Sequence, residues 1–235
     1  MKLPLINEVI VKSIIQDLKI LHLSDLHINK KTSEKSVEEL VSLCNKTDVD
    51  FIVITGDIID CKAKFIKKKL ELLNNIEKQT FYISGNHDLF YGFKDLKNIL
   101  SRLTCLDNET TTIKIKDKTI AIAGLSDRFS KFFGIKREKK KVTNFLEKYE
   151  NSILLAHQPK DYKLAINSNT KLFLCGHTHG GQIYPFHYVV KLFQPFLSGL
   201  IYKKNTAIYV NNGLGYWGIN FRFKANSEIC LLKLR

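Results

Sequence analysis

Five short polar clusters carry the side chains that handle metals and phosphate: Asp25-Leu26-His27, Gly56-Asp57, Gly85-Asn86-His87-Asp88, His157, and Gly176-His177-Thr178-His179-Gly180-Gly181. Two aspartates, one asparagine and four histidines among them form a mixed nitrogen and oxygen donor set. Such a set suits Zn, Mn or Fe better than Ca or Mg. Asp25 and His27 stand two apart, so both reach one ion across a tight turn. His177 and His179 repeat that spacing, and each is free to serve a different ion. Seven donors (Asp25, His27, Asp57, Asn86, His157, His177 and His179) exceed one coordination sphere and fit two, with one carboxylate shared. Two ions about 3.5–4 Å apart clamp the attacking and leaving oxygens of a phosphoryl transfer.

Taken singly, a DxH, a GD or a GNHD is ordinarily a turn or a capped strand. A solitary histidine is ordinarily a buried, hydrogen-bonded one, and His22 and His187 are read that way. The set differs because every cluster closes an apolar run. Such runs occupy 19–23, 51–55, 80–84, 119–123, 152–156, 171–175, 207–211 and 228–234. Their length and lack of alternation suit strands buried on both faces. Between them lie helical patterns at 33–46, 62–77, 93–103 and 139–149. The first opens at a capping serine, Ser33, and carries Val37, Leu40, Val41 and Cys44 on one face. Residues 113–118 read as one arm of a hairpin turning at Asp117-Lys118. The alternation predicts one layered α/β domain over residues 1–235, its central strands largely parallel. Ligands in such sheets gather at the carboxyl ends of strands, so the five clusters should converge.

With 44% hydrophobic and 26% charged residues, the 235-residue chain is neither disordered, nor fibrous, nor an integral membrane bundle. Its five cysteines form no CxxC pair, which points to a reducing compartment. With no secretory h-region and no spanning stretch of about 20 apolar residues, a cytoplasmic location is expected. The net charge of +14 draws such a protein toward nucleic acid, an anionic membrane or a phosphorylated substrate. Scattered lysines on a solvated surface account for the same figure, and only five arginines are present to fork onto phosphates.

In this order, DxH, GD, GNHD, a solitary histidine and GHxH resemble the calcineurin-like metallophosphoesterases. The runs Gly176–Ile183 (GHTHGGQI) and Gly85–Gly92 (GNHDLFYG) are similar to one branch of that superfamily. That branch comprises the membrane-peripheral bacterial phosphohydrolases, including UDP-2,3-diacylglucosamine hydrolases. The resemblance spans about Lys19 to Leu234 and takes in Gly124-Leu125-Ser126-Asp127 and Phe221-Arg222-Phe223. It implies a four-layer α/β/β/α sandwich, two mixed β-sheets flanked by helices. It implies two divalent ions (Mn, Fe or Zn), with Asp25, His27 and His179 on one, Asn86, His157 and His177 on the other, and Asp57 between them. His87 is implied to meet the phosphate or protonate the leaving group, with Asp88 orienting His87 or a ligand histidine. No ligand position is replaced, which argues against the family's non-catalytic scaffolds. Ser126 and Ser227 depart from the pattern where relatives carry an acid and a proline, and neither is a ligand. Relatives often have an N-terminal anchor, whereas this chain opens almost at its first predicted strand, so stable membrane residence is not expected.

The segment 184–202 follows the last metal motif and is dense in apolar and aromatic residues. Phe186, Val189, Val190 and Phe193 form one helical stripe that Pro195 ends. This flap either covers a lipid tail or bilayer, with Lys191, Lys203 and Lys204 meeting anionic headgroups, or packs on the domain. The expected substrate is phosphorylated, either a small molecule or lipid-linked, and the cytoplasmic protein has the option of a peripheral contact on the inner face of the cell membrane. The alternative is a nuclease or nucleotide phosphodiesterase, with nucleic acid the less favoured partner.

Overall fold

Strands that are apolar on both faces must be covered on both, and the chain achieves this with two stacked sheets and two outer layers of helix. The computed structural model describes residues 3–13, 15–219 and 221–235. The first sheet uses β1 (Ile6–Val11), β2 (Leu18–Leu23), β3 (Phe51–Ile54), β4 (Thr80–Tyr82) and β5 (Thr104–Cys105). It is completed by β12 (Ile229–Leu234), and its order is β1-β12-β2-β3-β4-β5. The second uses β6 (Thr110–Ile115), β7 (Lys118–Leu125), β8 (Ser152–Ala156), β9 (Leu172–Cys175), β10 (Gly199–Lys203) and β11 (Thr206–Val210). Its order is β10-β11-β9-β8-β7-β6. Strands β2 to β5 run parallel, as do β7, β8, β9 and β11. Antiparallel pairs β2–β12, β6–β7 and β10–β11 make both sheets mixed.

The period of two along each strand sends alternate residues to opposite buried faces, which explains why the runs do not alternate apolar with polar. In β3, Phe51 and Val53 enter the core between the sheets, while Ile52 and Ile54 turn outward onto helices. In β9, Leu172 and Leu174 face inward, and Phe173 and Cys175 pack on the opposite helical layer. Full burial of Phe51 or Phe173 contributes about 1.5–3 kcal/mol each. The helix α1 (Glu34–Lys46) covers the first sheet with Val37, Leu40, Val41 and Cys44, capped where Ser33 Oγ accepts from the Ser36 amide. Next come α2 (Lys67–Leu72), α3 (Asn86–Tyr91) and α4 (Phe93–Ile99). The helices α5 (Lys139–Leu146) and α6 (Tyr162–Asn167) cover the second sheet, and α7 (His187–Phe193) stands apart. Four α/β/β/α layers result.

Several elements depart from the sequence reading. The chain forms β1 before the first predicted strand, because only its edge pairing with β12 makes an alternating half-exposed segment a strand. The helix expected at 62–77 is a six-residue α2 between 3₁₀ turns at Ala63–Ile66 and Leu73–Asn75. The hairpin turns at Lys116-Asp117, one residue earlier than expected. Residues 199–203, which overlap the end of the expected flap, are edge strand β10. Among the described residues, no helix is long and apolar enough to cross a membrane.

Candidate metal centre

Each predicted cluster lies just past the carboxyl end of a buried parallel strand. Strand β2 leads into Asp25 and His27, β3 into Asp57, and β4 into Asn86, His87 and Asp88. From the second sheet, β8 leads into His157 and β9 into His177 and His179. The centre therefore forms along the seam where the C-terminal edges of both sheets meet.

The structure brings six of the seven predicted donors together in two groups, and a third group of His27, Asp57 and His87 links them. Ligating atoms of Asp25, His27 and His179 lie within 4.8 Å of one another, as do those of Asp57, His157 and His177. In the first group His27 Nε2 is 3.1 Å from His179 Nε2, which is 3.3 Å from Asp25 Oδ1. In the second, His177 Nδ1 is 3.1 Å from His157 Nε2. Asp57 Oδ2 stands between, 3.3 Å from His157 Nε2 and 3.8 Å from His27 Nε2. Asp25 Oδ1 and Asn86 Oδ1 are buried with no hydrogen-bond partner, while the unpartnered His27 Nδ1 turns the other way, 3.9 Å from Asp60 Oδ1. Imidazole nitrogens and carboxylate oxygens converging on each other with unmet lone pairs fit divalent cations, since they supply the donors and lack the hydrogens to satisfy one another.

The electrostatics agree. Burial holds His27 down to about 4 and His177 to about 3, keeping both rings neutral, the form that ligates metal. Burial pushes the Asp57 carboxyl up, but the facing His157, His27 and His87 rings overcome that and hold it well below the usual range. The His157 Nδ1–H donates to the Thr55 carbonyl at 2.7 Å, which aims Nε2 at the donor set; burial lowers this ring's pKa, but the facing Asp57 charge prevails and raises it well above the ordinary value, so a cation bound there displaces a proton.

The backbone here is unusual. Asp25, His27, Asp57, His177 and His179 all have positive φ, between 47° and 72°. Neighbouring glycines make room for them. A Cβ at Gly85 would collide with Asp57, and one at Gly176 with Ser24 and Asp25. The Ser24 hydroxyl and the His177 amide both donate to Asp25 Oδ2, which aims Oδ1 at the cluster.

Two expectations about neighbouring residues change. Asp88 does not orient a histidine: its carboxylate accepts from the amides of Ile58, Ile59 and Gly85, at 2.8 to 3.0 Å. Burial and the Asp57 charge push it up to about 7. It ties the turn after β3 to the start of α3, so its role is to shape the backbone. The partner of His87 is Asp60, whose Oδ1 is 2.8 Å from His87 Nδ1. Sequence reasoning passed over Asp60, although its place three residues after Asp57 in Gly56–Asp60 (GDIID) was the available signal. Burial lowers the His87 pKa, but the Asp60 hydrogen bond and the Asp57 and Asp60 charges prevail and raise it. Arg222 was also passed over as a site residue. Its guanidinium donates to the carbonyls of Asn212, Gly213 and Gly215, and its Nη2 lies 3.0 Å from His179 Nδ1. His22 is buried with Nε2 2.9 Å from Thr55 Oγ1, as expected. His187 is not buried: it stacks half-exposed on Tyr184, because α7 covers no core.

The expected apolar stripe lies beside the cluster. Phe186, Val189, Val190 and Phe193 line a cavity of about 360 Å³ whose floor is Asp57, Asn86, His87, His177 and His179. Phe129 and Trp217 complete its apolar wall, and Phe186 stacks on Trp217. The helix α7 has no buried residue, so its apolar side faces this cavity and solvent instead of the core.

The family model of the calcineurin-like phosphoesterases matches residues 18–181. An uncharacterized metallophosphoesterase of Helicobacter pylori is 38% identical over 230 residues, 93% of this chain and 60% of that protein. A transmembrane protein with a metallophosphoesterase domain from Danio rerio is 30% identical, over 93% of this chain and 53% of that protein. The chain thus spans about 60% or less of the length of these relatives. A dimetal phosphatase from Danio rerio shares the fold, with a TM-score of 0.56 at 10% identity, covering 84% of this chain and 88% of that one.

Proposed function

The chain belongs to the calcineurin-like phosphoesterase family, and on that premise we propose that it hydrolyses a phosphoester or pyrophosphate bond with a pair of divalent ions, Mn, Fe or Zn. The observation that carries this reading is the convergence of six donors from both sheets, with Asn86 lining the same cavity and the Asp25 Oδ1 and Asn86 Oδ1 lone pairs unmet. Asp25, His27 and His179 would hold one ion, Asn86, His157 and His177 the other, and Asp57 both. Bound there, the ions supply Lewis acidity toward phosphate and lower the pKa of water.

The chain's own residues do the rest. His87 lines the cavity, and the Asp60 carboxylate facing Nδ1 favours the doubly protonated ring. Its Nε2–H is then the donor for a phosphate oxygen or for the departing oxygen as the P–O bond breaks. The Asp57 Oδ1 accepts from the His87 amide at 2.8 Å, which fixes the proton donor to the centre of the ligand set. Water attack opposite that oxygen needs no covalent phosphoenzyme.

The substrate we favour is lipid-linked, with UDP-2,3-diacylglucosamine as the type. Support comes from the stripe over the catalytic cavity, which offers an acyl chain an apolar wall within reach of His177 and His179. Phe193 on α7 and Trp217 line this cavity and are themselves exposed, and Tyr188, Leu192, Ile219 and Phe221, close to them in sequence, are exposed too. With Lys191 and Lys224 among them, they suit a peripheral contact with an anionic membrane on its cytoplasmic face. A panel of bis(p-nitrophenyl) phosphate, UDP-2,3-diacylglucosamine, phospholipid and single-stranded DNA, offered to the metal-loaded protein, tests the proposal. Turnover of the diacylated compound is the expected result. Turnover of DNA or nucleotide diesters in its place would move the reading to a nuclease or nucleotide phosphodiesterase.

A further inference from the structure

Strand β2 carries a histidine that packing does not account for. Ile20 faces the core between the sheets, so the period of two brings His22 onto the same face, three residues before Asp25. The ring is fully buried, edge-on to Tyr209 at 5.9 Å between centroids, and its Nδ1 has no hydrogen-bond partner. A phenylalanine would fill this space and leave no polar atom unmet. The imidazole is explained instead by what its other nitrogen does.

Nε2 begins a chain of hydrogen bonds that ends on a candidate ligand. It lies 2.9 Å from Thr55 Oγ1, the Thr55 hydroxyl donates to Ser24 Oγ at 2.9 Å, and the Ser24 hydroxyl donates to Asp25 Oδ2 at 2.5 Å. His22, Ser24, Asp25 and Thr55 are all 0% exposed, so solvent does not compete for these groups. The order of donors is set from the carboxylate outward. An ionised carboxylate only accepts, so the single Ser24 proton goes to Oδ2. The Thr55 proton then goes to Ser24, and Thr55 Oγ1 is left to accept from His22. Nε2 therefore carries a proton. Burial holds the ring down to about 3, so it is the only proton there.

The chain also settles which carboxylate oxygen is free. Oδ2 accepts from the Ser24 hydroxyl and from the His177 amide at 3.0 Å. Oδ1 has no partner and lies 3.3 Å from His179 Nε2. Hydrogen bonds polarised in one direction reinforce one another in a dry interior. We propose that His22 is a positioning residue for Asp25, acting through Thr55 and Ser24 to hold Oδ2 so that Oδ1 alone is presented to the first ion. Thr55 serves the second donor group as well, since its carbonyl accepts from His157 Nδ1. The inference rests on the proposed reading of the metal centre and adds to it a residue that touches neither ion nor substrate.

The test is a cobalt(II) titration followed by visible absorption and by competition with a chelator. The wild type should take up two equivalents. In His22→Phe, which keeps an aromatic ring in place, the affinity for one ion should fall about tenfold, the usual effect of removing support behind a ligand, while the other is unchanged. Ser24→Ala should weaken the same binding step, and adding His22→Phe to it should change little more, because the chain is already cut. His22→Gln, whose Nε2–H reaches about as far as the one lost, should restore the affinity. Thr55→Val cuts the chain without altering volume, and gives the same reading if His22→Phe folds poorly. Additive losses in the double variant, equal weakening of both ions, or no loss at all would show that His22 only packs. Those results, with two equivalents bound by the wild type, overturn the relay alone; fewer than two equivalents in the wild type overturns the dinuclear reading itself.

Discussion

Replacing Val190 and Phe193 together with serine separates a substrate wall from a packing element. Both side chains lie on the cavity face of α7, Val190 half-buried and Phe193 64% exposed, and the helix buries nothing in the core. A fully buried side chain of this size contributes about 1.5–3 kcal/mol. Partial burial under an acyl chain realises a fraction of that at each site, about 1.5 kcal/mol for the pair. The ratio of kcat/KM for a diacylated substrate over that for a small soluble phosphoester should therefore fall about tenfold. Liposome co-sedimentation should weaken in parallel and become more salt-sensitive, because lysines alone would then carry it. Because the pair covers no core, the melting temperature should stay within about a degree of wild type. Equal loss on both substrates with a lower melting temperature would show that the stripe packs the domain, and the lipid reading would lose its structural support.

Three further outcomes follow from the centre. The Asp57→Asn variant removes the one carboxylate that, among the described residues, faces both donor groups, so elemental analysis should show both ions reduced and turnover abolished; full occupancy with retained activity refutes a shared ligand. With His87→Ala, metal content should stay near wild type while kcat drops by about 10²–10⁴, and Asp60→Asn should give a smaller fall in kcat with KM little changed; metal loss in the histidine variant would make His87 a ligand. Gly85→Ala places a methyl against Asp57, and should lower both the melting temperature, by overpacking of about 1–3 kcal/mol, and metal content; an unaltered metal content would show that the turn relaxes at no cost to the site.

What was legible in the sequence divides along physical lines. Strands buried on both faces announce themselves as unbroken apolar runs, so β3, β8, β9 and β11 appeared nearly to the residue. The motif residues were legible because each interrupts such a run with a donor that packing does not need. Edge strands were not: β1 and β10 are half-exposed, β1 acquiring strand geometry from β12, distant in sequence, and β10 from a hairpin with β11. The short helix α6 buries a single residue, Ala165, so it left no stripe to read. The Asp60–His87 contact spans 27 residues, and the sequence offers two acids, Asp60 and Asp88, for one imidazole. Choosing between them needs the turn geometry that points Asp88 at backbone amides.

That geometry also explains how left-handed backbone is tolerated at five donor residues. Each such residue, unless glycine, stores on the order of 1–3 kcal/mol, and persists only when its surroundings over-determine it. Here the loops brace one another across strands. The Asp25 amide donates to the Gly56 carbonyl and the His27 amide to that of Asp57, both at 3.0 Å. The Gly215 amide donates to Asp25, and the Gly176 amide to His157. Every donor loop is thus hydrogen-bonded to the loop of an adjacent strand, and those strands are anchored by the core between the sheets. The strain is carried by the packing of β2, β3, β8 and β9, whose buried residues fix where each loop begins. Donor atoms of like character are thereby held together against their mutual repulsion, which is the arrangement a cation relieves. The apolar runs and the polar clusters that end them are two halves of one device: the first supplies the stability that the second consumes.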